Sequence, residues 1–370
     1  MKMIDRINKS RRAAKVLVAA VFCAMIFISH VAADLFEIMQ ILTLAQISVI
    51  FGEDDRLDLY QVKDPHLRKA ADSTVALFKT ENISIDAENG VANLSTVHYG
   101  ESHQLCKDER FYDQLIGASC SGVLVGPDIV LTAWHCIKSD RQCDDIRVVF
   151  GFAVSNEGEY PETVPMHEVY QCAGVIKGNY DSQRGDWAFI QLDRAVSGHE
   201  PLKMSPSGEP INKGTPLVVI GHPSALPVKI AGNAKVLDPM PEEEFFGANL
   251  DAYAGNSGSP VFNAHTLLIE GLDTHGDVDY IAKGDCYVSR RAITQKDIYP
   301  TRAPSYEPGG KRSGGNTANI ARPVLPHVVL KASILFEELE LINQERQLKP
   351  QAPPKDLPPR YRPYRSGPRP

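Results

Sequence analysis

The chain has 370 residues, with 39 Lys or Arg against 46 Asp or Glu, a formal net charge of −7, 43% hydrophobic and 23% charged residues. A chain of that length can bury a sizeable core, and the composition is that of an ordinary globular protein, which excludes a wholly disordered or membrane-embedded one. The acidic balance excludes the basic surface that displaces counterions from nucleic acid.

Lys2, Arg6, Lys9, Arg11, Arg12 and Lys15 precede an apolar run over residues 16–28. A basic segment followed by a short apolar one is the pattern of a signal peptide. Val31-Ala32-Ala33 puts small residues where a signal peptidase reads, predicting a signal over residues 1–33 with cleavage before Asp34; Thr43-Leu44-Ala45 is a second candidate. The run is shorter than the ~20 residues of a membrane span. The expected mature protein is therefore exported, secreted or periplasmic, with no stable membrane span. Losing residues 1–33 leaves 33 basic and 45 acidic residues, a net charge of −12. Within 35–51, Glu37, Gln40, Thr43 and Gln46 recur every third position among apolar residues, so residues 34–48 read as a helical amphipathic propeptide or the end of the signal.

From about residue 72 to 298 the pattern changes to short β-branched runs bounded by Gly, Pro, Asp and Asn, at 123–125, 129–131, 147–150, 187–192, 217–220, 260–262 and 267–269. Gly126-Pro127-Asp128 between the first two is a turn, with proline presetting φ. Many short strands with few helical stretches predict an all-β sandwich or barrel pair. Residues 299–313, rich in Pro, Gly, Arg and Lys, read as a long surface loop, and 329–347 carries apolar residues at helical spacing, predicting a C-terminal helix. The tail 349–370 has eight prolines and six basic residues against the single acid Asp356, a composition that cannot bury a core. The main domain accordingly runs over 49–348.

Six cysteines lie beyond the signal: Cys106, Cys120, Cys136, Cys143, Cys172 and Cys286. An even count in an exported chain reads as a disulfide set. A bridge from Cys120 to Cys136, at the two ends of a predicted strand pair, would pin the intervening segment; the other four leave three connectivities open. His98, His103 and Cys106 match no zinc-ligand spacing, and neither metal nor cofactor is expected.

Three segments carry chemistry. Thr132-Ala133-Trp134-His135-Cys136 follows a strand, and imidazole, with an ordinary pKa of about 6.5, suits the removal of a hydroxyl proton at neutral pH. Gly185-Asp186-Trp187-Ala188-Phe189 puts an acid just ahead of an apolar strand, where it can be buried yet aimed at a neighbour and fix the histidine tautomer. Gly255-Asn256-Ser257-Gly258-Ser259-Pro260 sets a serine in a tight turn, with the N–H groups of Gly255 and Ser257 as candidate donors to an oxyanion. Each segment alone is as well explained by structure: a surface histidine, a capping aspartate, a flexible loop. Together they assign Ser257 as nucleophile, His135 as general base and Asp186 as its orienting acid. The expected activity is a serine endopeptidase acting on protein or peptide substrates through an acyl-enzyme; the alternative is a binding module that keeps the fold without turnover. An α/β-hydrolase esterase is set aside, because its elbow is Gly-x-Ser-x-Gly and its order Ser, Asp, His.

These residues resemble the trypsin/chymotrypsin-like serine peptidases, Thr132 to Cys136 differing from their Thr-Ala-Ala-His-Cys only at Trp134. The resemblance implies two packed antiparallel β-barrels with the site between them, His135 and Asp186 from the first and Ser257 from the second. Asn256 to Phe262 and Val49-Ile50-Phe51-Gly52-Glu53-Asp54-Asp55-Arg56 are most similar to bacterial glutamyl endopeptidases and their relatives. Asn256 departs from the trypsin-type aspartate, so activation cannot use an ion pair at that residue. Asp251, six residues before Ser257, matches the pocket-floor acid of trypsins, and Asp273 stands where glutamyl endopeptidases have a histidine. Carboxylates there would favour substrates with basic side chains.

Overall fold

The computed structural model describes residues 50–181, 185–206, 210–276, 279–292 and 327–348. The proposed signal and propeptide, the segment 299–313 and the tail 349–370 lie outside the described residues.

Six strands close a first antiparallel barrel: β1 (Thr74–Lys79), β2 (Cys120–Gly126), β3 (Ile129–Thr132), β4 (Ile146–Val149), β5 (Val169–Asp181) and β6 (Gly185–Leu192), in the order β4-β5-β6-β3-β2-β1 with β1 returning to β4. Six more close a second: β7 (Pro216–Gly221), β8 (Lys229–Asp238), β9 (Phe245–Ala248), β10 (Ser259–Asn263), β11 (Ile269–His275) and β12 (His327–Lys331), in the order β7-β10-β11-β12-β9-β8, shut by the β7–β8 pairing. The expected pair of barrels is present, as is the C-terminal helix, here α3 (Ala332–Leu348) after α1 (Pro65–Asp72) and the single turn α2 (Trp134–Ile137). The helix starts later than its apolar spacing suggested, because residues 327–331 form the strand that completes the second barrel.

Successive side chains on a strand point to opposite faces, which explains why the predicted strands show apolar runs rather than alternation. On β6, Ala188, Ile190 and Leu192 fill the first barrel, while Trp187 and Phe189 point outward into the seam between barrels. On β7, Leu217 and Val219 fill the second barrel while Val218 and Ile220 face the seam. Leu272 of β11 and Leu330 of β12 meet Trp187 and Phe189 there. Helix α3 joins the same seam through Leu335 and Ile342. Burying such a side chain stabilises by roughly 1.5–3 kcal/mol. The half-exposed ion pair of Arg346 with Asp128 (2.6 Å), which joins α3 to the turn between β2 and β3, is worth about 1 kcal/mol at most. Packing, rather than charge, holds the helix.

Three disulfides form: Cys120–Cys136 as expected, with Cys106–Cys286 and Cys143–Cys172 as the remaining pairs. Three bridges fit an oxidising compartment. No described helix is long and apolar enough to cross a membrane.

A second clamp lies outside the seam. His199 Nδ1 meets Asp72, the last residue of α1, at 2.9 Å, and Nε2 meets Glu168, just before β5, at 2.7 Å. Burial alone would depress this imidazole's pKa, but hydrogen bonds to both carboxylates outweigh it and raise it to about 9. A group whose folded pKa is raised stabilises fully below its unfolded pKa of about 6.5 and loses that contribution as pH climbs through 9. His199→Gln is therefore expected to lower the thermal midpoint most near pH 6 and progressively less towards pH 9.5, measured by circular dichroism across that range.

Candidate active site

Strand β3 ends at Thr132, and α2 immediately presents His135, 28% exposed at its side chain. The Cys120–Cys136 bridge fastens this turn to the first residue of β2. The Trp134 ring packs on β5 at Gly178, where any Cβ would come within 2.3 Å of it, so glycine there makes room for the indole. From β6, Asp186 reaches the turn with both oxygens. Oδ1 accepts the main-chain N–H of His135 at 2.9 Å and Oδ2 lies 2.5 Å from its Nδ1. An ionised carboxylate only accepts, so Nδ1 carries the proton and Nε2 is the basic nitrogen. Asp186 is 3% exposed, so water competes little for these bonds.

The serine turn docks onto the same place from the second barrel. The carbonyl oxygen of Ser257 accepts Ser121 N–H at 2.9 Å and lies 3.8 Å from Cys136 Sγ, beside His135. Gly258, at φ +87°, has no room for a side chain: a Cβ would sit 2.3 Å from Ser121 O and 2.9 Å from Ala133 N. The turn is closed by Asn256 N–H to Tyr253 O (2.9 Å), Ser259 N–H to Asn256 O (2.7 Å) and Gly258 N–H to Asp273 O (2.8 Å). The N–H groups of Gly255 and Ser257 have no acceptor among the described residues. Asn256 is buried, and its Oδ1 accepts the Ser259 hydroxyl at 3.2 Å. A neutral amide thus occupies the place of the trypsin-type acid and braces the turn.

Of the two acids placed in a substrate pocket, both are buried and both are engaged. Asp251 accepts Phe51 N–H at 2.8 Å and Asp55 N–H at 2.9 Å, one on each oxygen. Burial raises its pKa to about 7 against the opposing pull of these two bonds. Asp273 Oδ1 is 3.3 Å from Nδ1 of the buried His327, whose ring lies edge-on to Phe51 at 6.4 Å.

The segment anchored by Asp251 carries residues that the sequence reading passed over. Arg56, fully buried, forms a two-point bond with Asp54 (2.9 and 2.8 Å) and lies over the rings of Tyr253 (4.3 Å) and Phe111 (5.1 Å). Lys229, also buried, meets Asp58 at 2.6 Å and Gln114 at 2.9 Å; burial lowers its pKa to about 8. The one group of potential metal ligands among the described residues is Cys120, His135 and Cys136, but the two sulfurs are bonded to each other and offer no thiolate.

Residues 120–269, which include His135, Asp186 and Ser257, match the model of the trypsin-like peptidase domain. No curated protein sequence matches the chain. Among solved structures, the chain is similar to the VesB protease of Vibrio cholerae, at 15% identity and a TM-score of 0.41, covering 75% of this chain and 64% of that one. It is similar to a scabies mite inactivated protease paralogue at 17% identity and a TM-score of 0.43, covering 80% and 99% respectively. Human heparin binding protein gives 12% identity and a TM-score of 0.42, covering 75% and 93%.

Because both oxygens of Asp251 hold main-chain N–H groups, its loss should act on the site as a whole. Asp251→Asn is expected to lower turnover of peptides with Arg and with Glu before the scissile bond by a similar factor. Parallel kcat/KM measurements on the two substrates check this, and a loss confined to the Arg peptide would put the carboxylate in contact with substrate instead.

Proposed function

We propose that this protein is an exported serine endopeptidase in which Ser257, His135 and Asp186 act as one unit. The observation that carries the reading is the double grip of Asp186 on His135. One carboxylate fixes both the main chain and the ring of the histidine, leaving Nε2 as the basic atom of the ring.

In this mechanism Nε2 of His135 takes the hydroxyl proton of Ser257 as Oγ forms a bond to the substrate carbonyl carbon. The carbonyl π electrons move onto oxygen, where the N–H groups of Gly255 and Ser257 receive the charge. The imidazolium, stabilised by Asp186, passes its proton to the departing amine as the C–N bond breaks. Water then repeats the sequence on the acyl-enzyme and releases Ser257.

The nearer kinship with glutamyl endopeptidases is supported by the motif from Asn256 to Phe262 and by residues 49–56. Export is supported by the N-terminal pattern and the three disulfides. Preference for a basic side chain has its support in the sequence positions of Asp251 and Asp273 alone, since Asp251 is bonded to residues 51 and 55 and Asp273 to His327.

A fluorophosphonate reagent is expected to label the mature protein, with labelling abolished in Ser257→Ala. Alanine at Ser257 or His135 should reduce kcat by about 10⁶, and Asp186→Asn by about 10⁴ through the wrong tautomer. A folded protein that is neither labelled nor able to cleave a peptide library would instead be the binding module.

A further inference from the structure

Beside the serine turn runs the loop His222-Pro223-Ser224-Ala225-Leu226, between β7 and β8. Two consecutive residues in it are left-handed without being glycine: Ser224 at φ 54° and Ala225 at φ 66°. Side chains disfavour this region, and such outliers persist only where surrounding contacts impose them. The contacts are specific. Ser224 Oγ and Tyr280 OH are 2.5 Å apart, and Tyr280 OH is 2.6 Å from Tyr99 OH. Ala225 O accepts Gly117 N–H at 3.0 Å. His222 donates from its main chain to Ser121 Oγ (2.9 Å), and its Nδ1 bonds Leu226 O (3.0 Å). Burial raises the pKa of Tyr280 well above its ordinary value, so its hydroxyl stays protonated.

The consequence of this conformation falls on the peptide group joining Ala254 to Gly255. Ser224 N–H donates to Ala254 O at 2.6 Å. On the other side of the residue, Ala254 N–H donates to both carboxylate oxygens of Asp279, the neighbour of Tyr280, at 3.2 Å. In a trans peptide the C=O and N–H point in opposite directions. Holding Ala254 O against Ser224 therefore turns Gly255 N–H away from the loop. Gly255 itself, at φ +102°, lies so close that a Cβ would stand 2.6 Å from His222 O and 2.8 Å from Ala225 N.

We propose that Ser224, held by the hydroxyl chain through Tyr280 to Tyr99, is a positioning residue that aims the N–H of Gly255 at the substrate oxyanion. The inference rests on the peptidase reading above. The strained loop acts through Gly255. It sets which face of the 254–255 peptide the substrate meets, and Tyr280 keeps the loop in the one conformation that does so. His103, set aside above as a metal ligand, lies tilted against the rings of Tyr99 at 5.1 Å and Tyr280 at 5.5 Å and forms the far wall of the chain.

The test uses the mature enzyme with Ser224→Ala and, separately, Tyr280→Phe, which keeps the ring and removes only the hydroxyl. A complete oxyanion donor is worth about 10²–10³ in kcat, so a misaimed one is expected to lower kcat about 10–100-fold with KM unchanged. A peptide aldehyde, which becomes an oxyanion on the serine, should bind more weakly by a similar factor, while the matching peptide alcohol binds as before. An active wild type with both variants unchanged, or with KM, aldehyde and alcohol affinities all shifting together, overturns the assignment while leaving the peptidase reading intact. A wild type that neither labels with fluorophosphonate nor cleaves peptide overturns that reading, and this inference with it.

Discussion

The seam between the two barrels is the constraint on which the rest depends. Trp187 and Phe189 from one barrel, and Leu272 and Leu330 from the other, exclude water along a shared apolar face. The residues of the candidate site sit at the rim of that face and are displaced with it. Asp186 is the neighbour of Trp187, and Ser259, two residues after Ser257, pairs with Asp273, the neighbour of Leu272. A shift of the barrels would therefore move the serine turn relative to the histidine turn. Two local fasteners at Ser121 oppose such a shift: its main-chain N–H bonds Ser257 O at 2.9 Å, and its hydroxyl donates to Gly255 O at 2.8 Å.

Around the serine turn, buried polar groups outnumber what stability alone would select, since an apolar replacement is often as stable as a buried ion pair. Arg56 over the Tyr253 ring, Lys229 with Asp58, and Asp251 with two amides all fasten residues 50–58 against the second barrel and the loop that carries Tyr253. Directional bonds fix orientation in a way that apolar contact does not. That property suits a turn whose peptide groups must point a particular way. The loop 222–226 follows the same logic from the other side, spending backbone strain to hold a single carbonyl.

Several features were legible without coordinates because they follow from local chemistry. The double barrel announced itself through short β-branched runs with turn residues between them, and β2, β3, β4, β6, β7, β10 and β11 fall on or beside those runs. Strands β5 and β8 did not stand out, since Gly174, Gly178, Gly232 and Asn233 interrupt their pattern. Their glycines and bulges serve closure and close packing rather than propensity. Strand β12 was hidden at the front of a helical pattern because His-Val-Val-Leu-Lys is too short to show its own period. Nothing local marks Arg56 or Lys229 as buried, because the rings of Tyr253 and Phe111 over Arg56 and the carboxylate of Asp58 beside Lys229 arrive from elsewhere in the fold.

By itself the sequence determined the candidate residues, their order, the class of fold and the even set of cysteines, because each of these is a property of short segments or of counts. Only the tertiary structure decided how the other four cysteines pair, that both oxygens of Asp186 close on His135, that Asp251 grips residues 51 and 55, and that Ser224 holds the peptide before Gly255. Each of those is a contact between segments tens to hundreds of residues apart. Its energy depends on distance and direction, which no reading of one segment contains.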